Sequence, residues 1–322
     1  MRCFAVVLVV PFLACGSPGQ SAGEPDAHVD GDGGLMPPTR GFQIKSPTID
    51  IDPGKEVTYC YYFHTPNTVD MSIKQWSSHM TPGGEHMVLY LTPTDLQTPG
   101  TLSTAQCGIT DRSPGPVWTY SAQTEDGGVV LPDDDGSGTP LGQSIKAGHS
   151  GFLQVQYLNT TGAAIHAQVE LNAYAHDDGV RVTPVGSFFT LNHHIDLLPA
   201  TPSGPTPGTV SGDCTVAPDA RFFLMTTHTY KQGVHTFVKD GSTVLFDSTS
   251  WAHPGIATWG TPSFYSFTSG KLSYQCEYLN PTTNEIKTGD TAATDEMCMA
   301  IGYYFPSDGT AGHFCLNSMM LY

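Results

Sequence analysis

Thirteen histidines in 322 residues supply imidazole at three places whose neighbours invite chemistry. These are Glu85-His86-Met87, His193-His194 and His228-Thr229-Tyr230. In an extended strand, residues two apart share a face. That puts Thr226, His228 and Tyr230 on one side of a strand, and Met297 and Ile301 on one side of a later one. A thioether near an imidazole on converging strands suits copper, above all Cu(I). His193 and His194 are adjacent, so on a strand they would point opposite ways. Other chemistries lack their residues. Gly148-His-Ser-Gly151 is not Gly-x-Ser-x-Gly, and there is no His-Glu-x-x-His and no phosphate-cradling glycine motif. Asp30-Gly-Asp-Gly-Gly34 has no closing Glu at calcium-loop spacing. Asp133-Asp134-Asp135 reads as a solvated loop, and Asn159-Thr-Thr161 matches a glycosylation sequon.

Such side chains act only if elements hold them, and the elements read as strands. Alternating apolar and polar segments bounded by Gly, Pro, Asn and Asp recur at 86–91, 151–158, 167–174, 222–230, 271–278 and 296–305. No segment carries a convincing 3.6-residue pattern, so the spacing predicts an all-β chain of antiparallel β-sandwiches. Composition agrees, with 35 Gly and 25 Pro but only 13% charged residues, against about 25% charged in an average protein. Ala175-His-Asp-Asp-Gly179 interrupts the pattern and marks a boundary between domains at 42–178 and 179–322, each of ordinary size.

Residues 1–14 read as a secretory signal, with Arg2 ahead of an apolar stretch from Phe4 to Ala14. The stretch stops at Cys15-Gly16 and resembles a bacterial lipoprotein signal, in which Cys15 becomes the lipidated first residue. The favoured Leu stands two before the cysteine (Leu13), with Phe12 three before. Residues 15–41 are then a lipidated Cys and a flexible linker. Beyond residue 14 no apolar run reaches the ~20 residues needed to span a bilayer. The expected location is the bacterial cell envelope, periplasmic or outer-membrane anchored, with membrane contact only through the N-terminal lipid. Of eight cysteines, Cys3 leaves with the signal and Cys15 carries lipid. Cys60, Cys107, Cys214, Cys276, Cys298 and Cys315 remain, an even set that implies disulfides in an exported chain. Composition leaves their pairing open, and no CxxC spacing points to a thiolate zinc site. A net charge of −17 repels phosphate and argues against nucleic acid and anionic membrane surfaces as partners.

The run Thr294-Asp-Glu-Met-Cys-Met-Ala-Ile-Gly-Tyr-Tyr304 resembles the copper type II, ascorbate-dependent monooxygenases. That is the family of peptidylglycine α-hydroxylating monooxygenase and dopamine β-monooxygenase. In that family the Met of an Asp-Glu-Met-Cys segment binds the oxygen-activating copper, and a preceding His-Thr-His-x-x-Gly segment supplies two His. Here the latter reads His228-Thr-Tyr-Lys-Gln-Gly233. The electron-transfer copper of the family sits on a His-His-Met strand and a Leu-Gln-Val-His-Tyr strand. Here these read Glu85-His86-Met87 and Leu153-Gln-Val-Gln156-Tyr157. The resemblance spans about residues 60 to 305. It implies two tandem jelly-roll-like sandwiches facing each other across a solvent-filled cleft. It also implies Cys276 paired with Cys298 and Cys214 with Cys315, leaving Cys60 and Cys107 for the first domain.

The departures fall on the ligands. The resemblance implies His86 as a ligand of one copper, and His228 and Met297 as ligands of the other. Glu85, Gln156 and Tyr230 stand where three further His belong. A neutral Gln oxygen is a poor Cu(I) ligand, and a Tyr phenol, with a pKa near 10, must ionise to bind well. Substitutes in sequence are His79 or His149 in the first domain and His235 or His253 in the second. The family's substrate-carboxylate positions are Thr226, Met299 and Ile301 here, an apolar set that cannot fork onto a carboxylate. The expected function is an exported monooxygenase-like protein with reduced or absent turnover and at most partial copper binding through the C-terminal domain. The alternative is an active copper- and O2-dependent C–H hydroxylase acting on a non-peptide substrate, with ascorbate or another reductant. The partner, a small molecule or a protein, is not specified by the residues.

Overall fold

The computed structural model describes residues 34–105, 107, 116–308 and 312–321. The signal at 1–14, Cys15 and the linker up to residue 33 lie outside the described residues. The chain is all-β, built as two antiparallel sandwiches in tandem, and the described residues contain no helix. None therefore forms a helix long and apolar enough to cross a membrane.

In the first sandwich the outer sheet runs Gly41–Lys45, Val169–Ala175, Met71–Met80, Leu141–Ile145 and Thr183–Pro184, with Asp126–Val130 also on Met71–Met80. The inner sheet runs Leu102–Ser103, Glu56–His64, Ser150–Leu158, Gly84–Leu91 and Val117–Ala122. Strand pairing then passes to the second sandwich at Gly186. Its inner sheet runs Ala257–Thr258, Arg221–His228, Met299–Phe305, Gly186–Leu191, His313–Leu316 and Met319–Met320. Its outer sheet runs Thr206–Thr215, Lys271–Asn280, Gly233–Asp240 and Thr243–Ser248. Two pairings are parallel, Thr183–Pro184 on Leu141–Ile145 and Gly186–Leu191 on His313–Leu316.

The two inner sheets pack against each other, which gives four layers. The central inner strands therefore have two buried faces. Along Gly84–Leu91, Met87, Leu89 and Leu91 enter the first sandwich core. Val88 and Tyr90 face the other way, into a cluster shared with Phe189, Met297, Met299 and Ile301 of the second half. Strands buried on both faces read as nearly continuous apolar runs, whereas a solvated sheet alternates. Thr206–Thr215 shows that alternation in its exposure pattern, and Gly186–Leu191 and Met299–Phe305 are buried throughout. Where the resemblance implies a solvent-filled cleft, the halves thus meet in part along an apolar seam, with Trp118 against Phe189 across it.

Three disulfides fix the layers, Cys60–Cys107, Cys214–Cys315 and Cys276–Cys298. The resemblance implied this same pairing. With separations of 47, 101 and 22 residues, chain entropy assigns each about 3–5 kcal/mol. Such bonds persist in oxidising compartments, which fits an exported chain. Two expectations change. The end of the linker is held rather than flexible, since Leu35 is buried and its N–H donates to Glu170 Oε2 at 2.5 Å. Asp135 is not solvated. It is buried, accepts from Ser137 and from Thr183 Oγ1, and its carbonyl accepts from Arg221 Nη1. The bonds from Ser137 and Thr183 hold its carboxyl well below the usual range, and the bond from Arg221 to its main-chain carbonyl ties the first sandwich to the second.

Candidate functional site

His86 lies on Gly84–Leu91 with the parity of Val88 and Tyr90, so its ring faces the seam. The turn before it needs Gly83, whose φ of 95° disfavours a side chain. Opposite, Gln156 pairs with His86 and Tyr157 with Gly84, so Glu85 is the extra residue of a bulge. From the second half, His228 closes Arg221–His228, paired in register with Met299. The two imidazole centroids are 5.1 Å apart at 65°. Tyr230 completes the group, with its ring 5.3 Å from His228 and 6.2 Å from His86.

Gln123, from the first half, orients His228. Its Nε2 donates to the Thr227 carbonyl at 3.2 Å, so its Oε1 faces His228 Nδ1 at 2.9 Å. Nδ1 then carries the proton and Nε2 is left bare, the arrangement of a ligand histidine with a hydrogen-bonded second nitrogen. Burial holds His86 down to about 4. Burial, with a smaller contribution from His86, holds His228 down to about 3. Both rings are neutral at pH 7, the state in which imidazole binds metals.

The two rings stand between two spaces. Inward, His86, His228, Met297, Met299 and Trp118 line a pocket of about 20 Å³, room for one water-sized occupant. The buried Trp118 Nε1 there has no hydrogen-bond partner among the described residues. Outward, the same imidazoles border an open cleft of about 550 Å³ with Glu85, Glu125, Asp126, Trp251 and His253.

Met297 is held from three sides. Its carbonyl accepts from Tyr278 Oη at 2.8 Å, its neighbour Cys298 is bonded to Cys276, and its N–H donates to Glu296 Oε2 at 3.2 Å. The same carboxylate accepts the N–H groups of Tyr230 at 2.9 Å and Gln232 at 2.8 Å. Burial outweighs these donors and pushes Glu296 up to about 7. Gly233 closes this loop, because a Cβ there would lie 2.1 Å from Thr229 Oγ1.

The structure thus brings together His86, His228 and Met297, which the sequence reading assigned to two separate centres. The degenerate positions behave differently. Gln156 is fully buried, and its Nε2 donates to Glu56 Oε1. Tyr230 is reached through a loop rather than by strand alternation, since the strand stops at His228. Burial, followed by the carboxylates of Asp290 and Glu296, drives its hydroxyl well above the ordinary range. It walls the site as a neutral phenol. Glu85 borders the outer cleft, and burial followed by Glu56 raises its pKa. Of the substitute histidines, His253 borders the cleft. His79 pairs with Asp126, His235 lies between Asp247 and Glu277, and His149 is half-buried elsewhere. His193 and His194 are exposed. Thr226 donates to the Gly255 carbonyl at 2.6 Å, while Met299 and Ile301 line the inner pocket.

Gln123 gave no local signal in the sequence, because its partner is 105 residues away. Glu296 did give one, as a carboxylate opening an otherwise apolar run. Among the described residues no three His, Cys, Asp or Glu side chains gather as a metal site. What gathers is two imidazoles with two thioethers. The donor set fits a soft ion.

No family model matches the chain, and no curated protein matches it. Among solved structures it is similar to the PBSX exported protein XepA, at 9% identity and a TM-score of 0.21 over 92% of this chain and all of that one. Infectious bursal disease virus Gt strain gives 10% identity and a TM-score of 0.17, covering 85% of this chain and 75% of the other.

Proposed function

We propose that this chain is an exported copper type II monooxygenase-like protein that binds one copper ion where its halves meet and does not turn over. The observation that carries this reading is the 5.1 Å between His86 and His228, with Met297 on the same pocket. One ion with imidazole bonds of about 2.0–2.1 Å can reach a nitrogen of both rings. The imidazole that the resemblance gives to one copper and the imidazole and thioether that it gives to the other thus serve a single small space. The positions that the resemblance gives to further His ligands offer a second ion no imidazole, since Gln156 gives its amide NH2 to Glu56 and Tyr230 keeps its proton. Copper bound here would supply a soft one-electron centre, which His86, His228 and Met297 would hold. Lipidation at Cys15 belongs to the same reading and makes the protein an envelope lipoprotein. Its acidic charge keeps nucleic acid away.

The open cleft beside both rings favours the alternative, an active hydroxylase fed by ascorbate or another reductant, since a small organic molecule could enter it. Titration with Cu(I) and Cu(II), read by bound metal per chain, separates the two. One copper per chain and no ascorbate-dependent oxygen uptake is the expected result. Two coppers with uptake would establish the hydroxylase instead, and no bound copper would end both readings.

A further inference from the structure

We infer that Met299 is a fourth donor of this centre, and that the resulting two-imidazole, two-thioether site selects a soft monovalent ion, Cu(I) or Ag(I), over Cu(II) and Zn(II). The inference rests on the one-copper reading above and adds to it a ligand and a selectivity. Met299 stands directly opposite His228 in the antiparallel pairing of Arg221–His228 with Met299–Phe305. Residues opposed in this way share a face, with Cβ atoms about 4.5–5.5 Å apart. Met297 and Met299 are two apart, both are almost fully buried, and both line the inner pocket with His86 and His228. Among the described residues no carboxylate lines that pocket. Glu85, Glu125 and Asp126 all lie on the outer cleft.

Charge decides the selectivity. Every donor that the described residues offer inside is neutral, so the ion's own charge stays uncompensated in a buried space. The penalty for burying a charge rises with its square in the Born picture, and a divalent ion bears far more of it than a monovalent one. Thioether sulfur adds to the bias, because it is a soft donor that favours Cu(I). Two thioethers beside two imidazoles therefore disfavour Zn(II) and Cu(II) both by charge and by softness.

The test uses the full chain with its disulfides intact. Cu(I) is titrated anaerobically against bicinchoninate, and copper-edge X-ray absorption counts the sulfur neighbours. Met299→Leu conserves volume, the kind of core exchange that is tolerated best. It should leave one Cu(I) per chain, halve the sulfur signal and weaken binding at least about 10-fold, the loss typical of even an outer-shell partner. Selenomethionine-labelled Met297→Leu protein leaves position 299 intact, and its selenium edge should show a copper neighbour. Ag(I) should raise the thermal midpoint of the unaltered protein, and Zn(II) should not displace Cu(I). Unchanged affinity and sulfur signal in Met299→Leu, no copper at the selenium edge, or displacement by Zn(II) would each overturn this inference and leave the one-copper reading standing. Failure of the unaltered protein to bind Cu(I) would remove that reading and this inference together.

Discussion

At the scale of single residues, the site is decided by where protons sit. Gln123 Oε1 fixes the proton of His228 on Nδ1, and burial keeps the His86 ring neutral. His86, His228 and Met297 were legible in the sequence because short motifs frame each of them. Gln123 was not, because a hydrogen bond between residues distant in sequence leaves no local pattern. Nor did the motifs reveal that His86 and His228 share one pocket, since that depends on how two sheets meet. The proton placement has a measurable consequence in metal-free protein. His86 has a folded pKa of about 4, depressed from an ordinary value of about 6.5. The unfolded chain therefore binds a proton between these values that the fold refuses. Its contribution is fully present above pH 6.5 and is lost as pH falls toward 4, by about 3 kcal/mol in all. Urea midpoints recorded from pH 7 to 4 should fall less steeply for His86→Gln than for the unaltered protein. Parallel curves would show that this ring is not buried in the neutral form.

At the scale of elements, the strands predicted at 222–230 and 296–305 were placed correctly, but each is shorter than its apolar run. The observed spans are Arg221–His228 and Met299–Phe305. The cause is Glu296, whose carboxylate takes the N–H groups of Tyr230, Gln232 and Met297, together with Tyr278, which takes the Met297 carbonyl. Hydrophobic periodicity cannot report such a substitution of side-chain for strand hydrogen bonds. The buried carboxyl titrates with the opposite sign to His86. Its pKa is raised from 4.5 to about 7, so the fold keeps a proton that the unfolded chain releases. Stability from this group is greatest below pH 4.5 and falls by about 3 kcal/mol as pH rises to 7 and just beyond. Glu296→Gln should abolish that fall, and subtracting its urea midpoints from those of the unaltered protein between pH 4.5 and 8 isolates the effect. A difference that stays flat would mean that the three N–H donors, not burial, set the charge on Glu296. The same variant turns an amide NH2 toward backbone donors, so it should also cost about 1–3 kcal/mol at pH 4.5 for an orphaned N–H.

At the scale of the whole molecule, the two sandwiches are joined along a packed seam, and the cleft beside His86 and His228 opens at its edge. Trp118 stacks obliquely on Phe189 at 5.5 Å, and its carbonyl accepts from Ser187 Oγ. The Thr119 carbonyl accepts from Tyr303 Oη at 3.2 Å. Phe223, Leu224, Tyr303 and Phe305 of the second half join the core of the first. From the sequence, alternating strands and a solvent-filled cleft are expected here, whereas Val88, Tyr90 and Phe152 are buried in the cluster that joins the halves. What could not be read was the partner that each face meets. Among the described residues no disulfide crosses the seam, so the packing there couples the halves noncovalently, and calorimetry can see it. Separate domains joined by a polar interface unfold independently, whereas halves sharing a buried apolar cluster lose it in one step. Metal-free protein should therefore unfold in a single transition, with calorimetric and van't Hoff enthalpies equal. Trp118→Ala should lower that stability by about 3–5 kcal/mol, and because Trp118 also lines the inner pocket, it should weaken Cu(I) binding without touching a ligand. Two resolved transitions in the unaltered protein would separate the halves and dismantle a centre that needs His86 from one and His228 from the other.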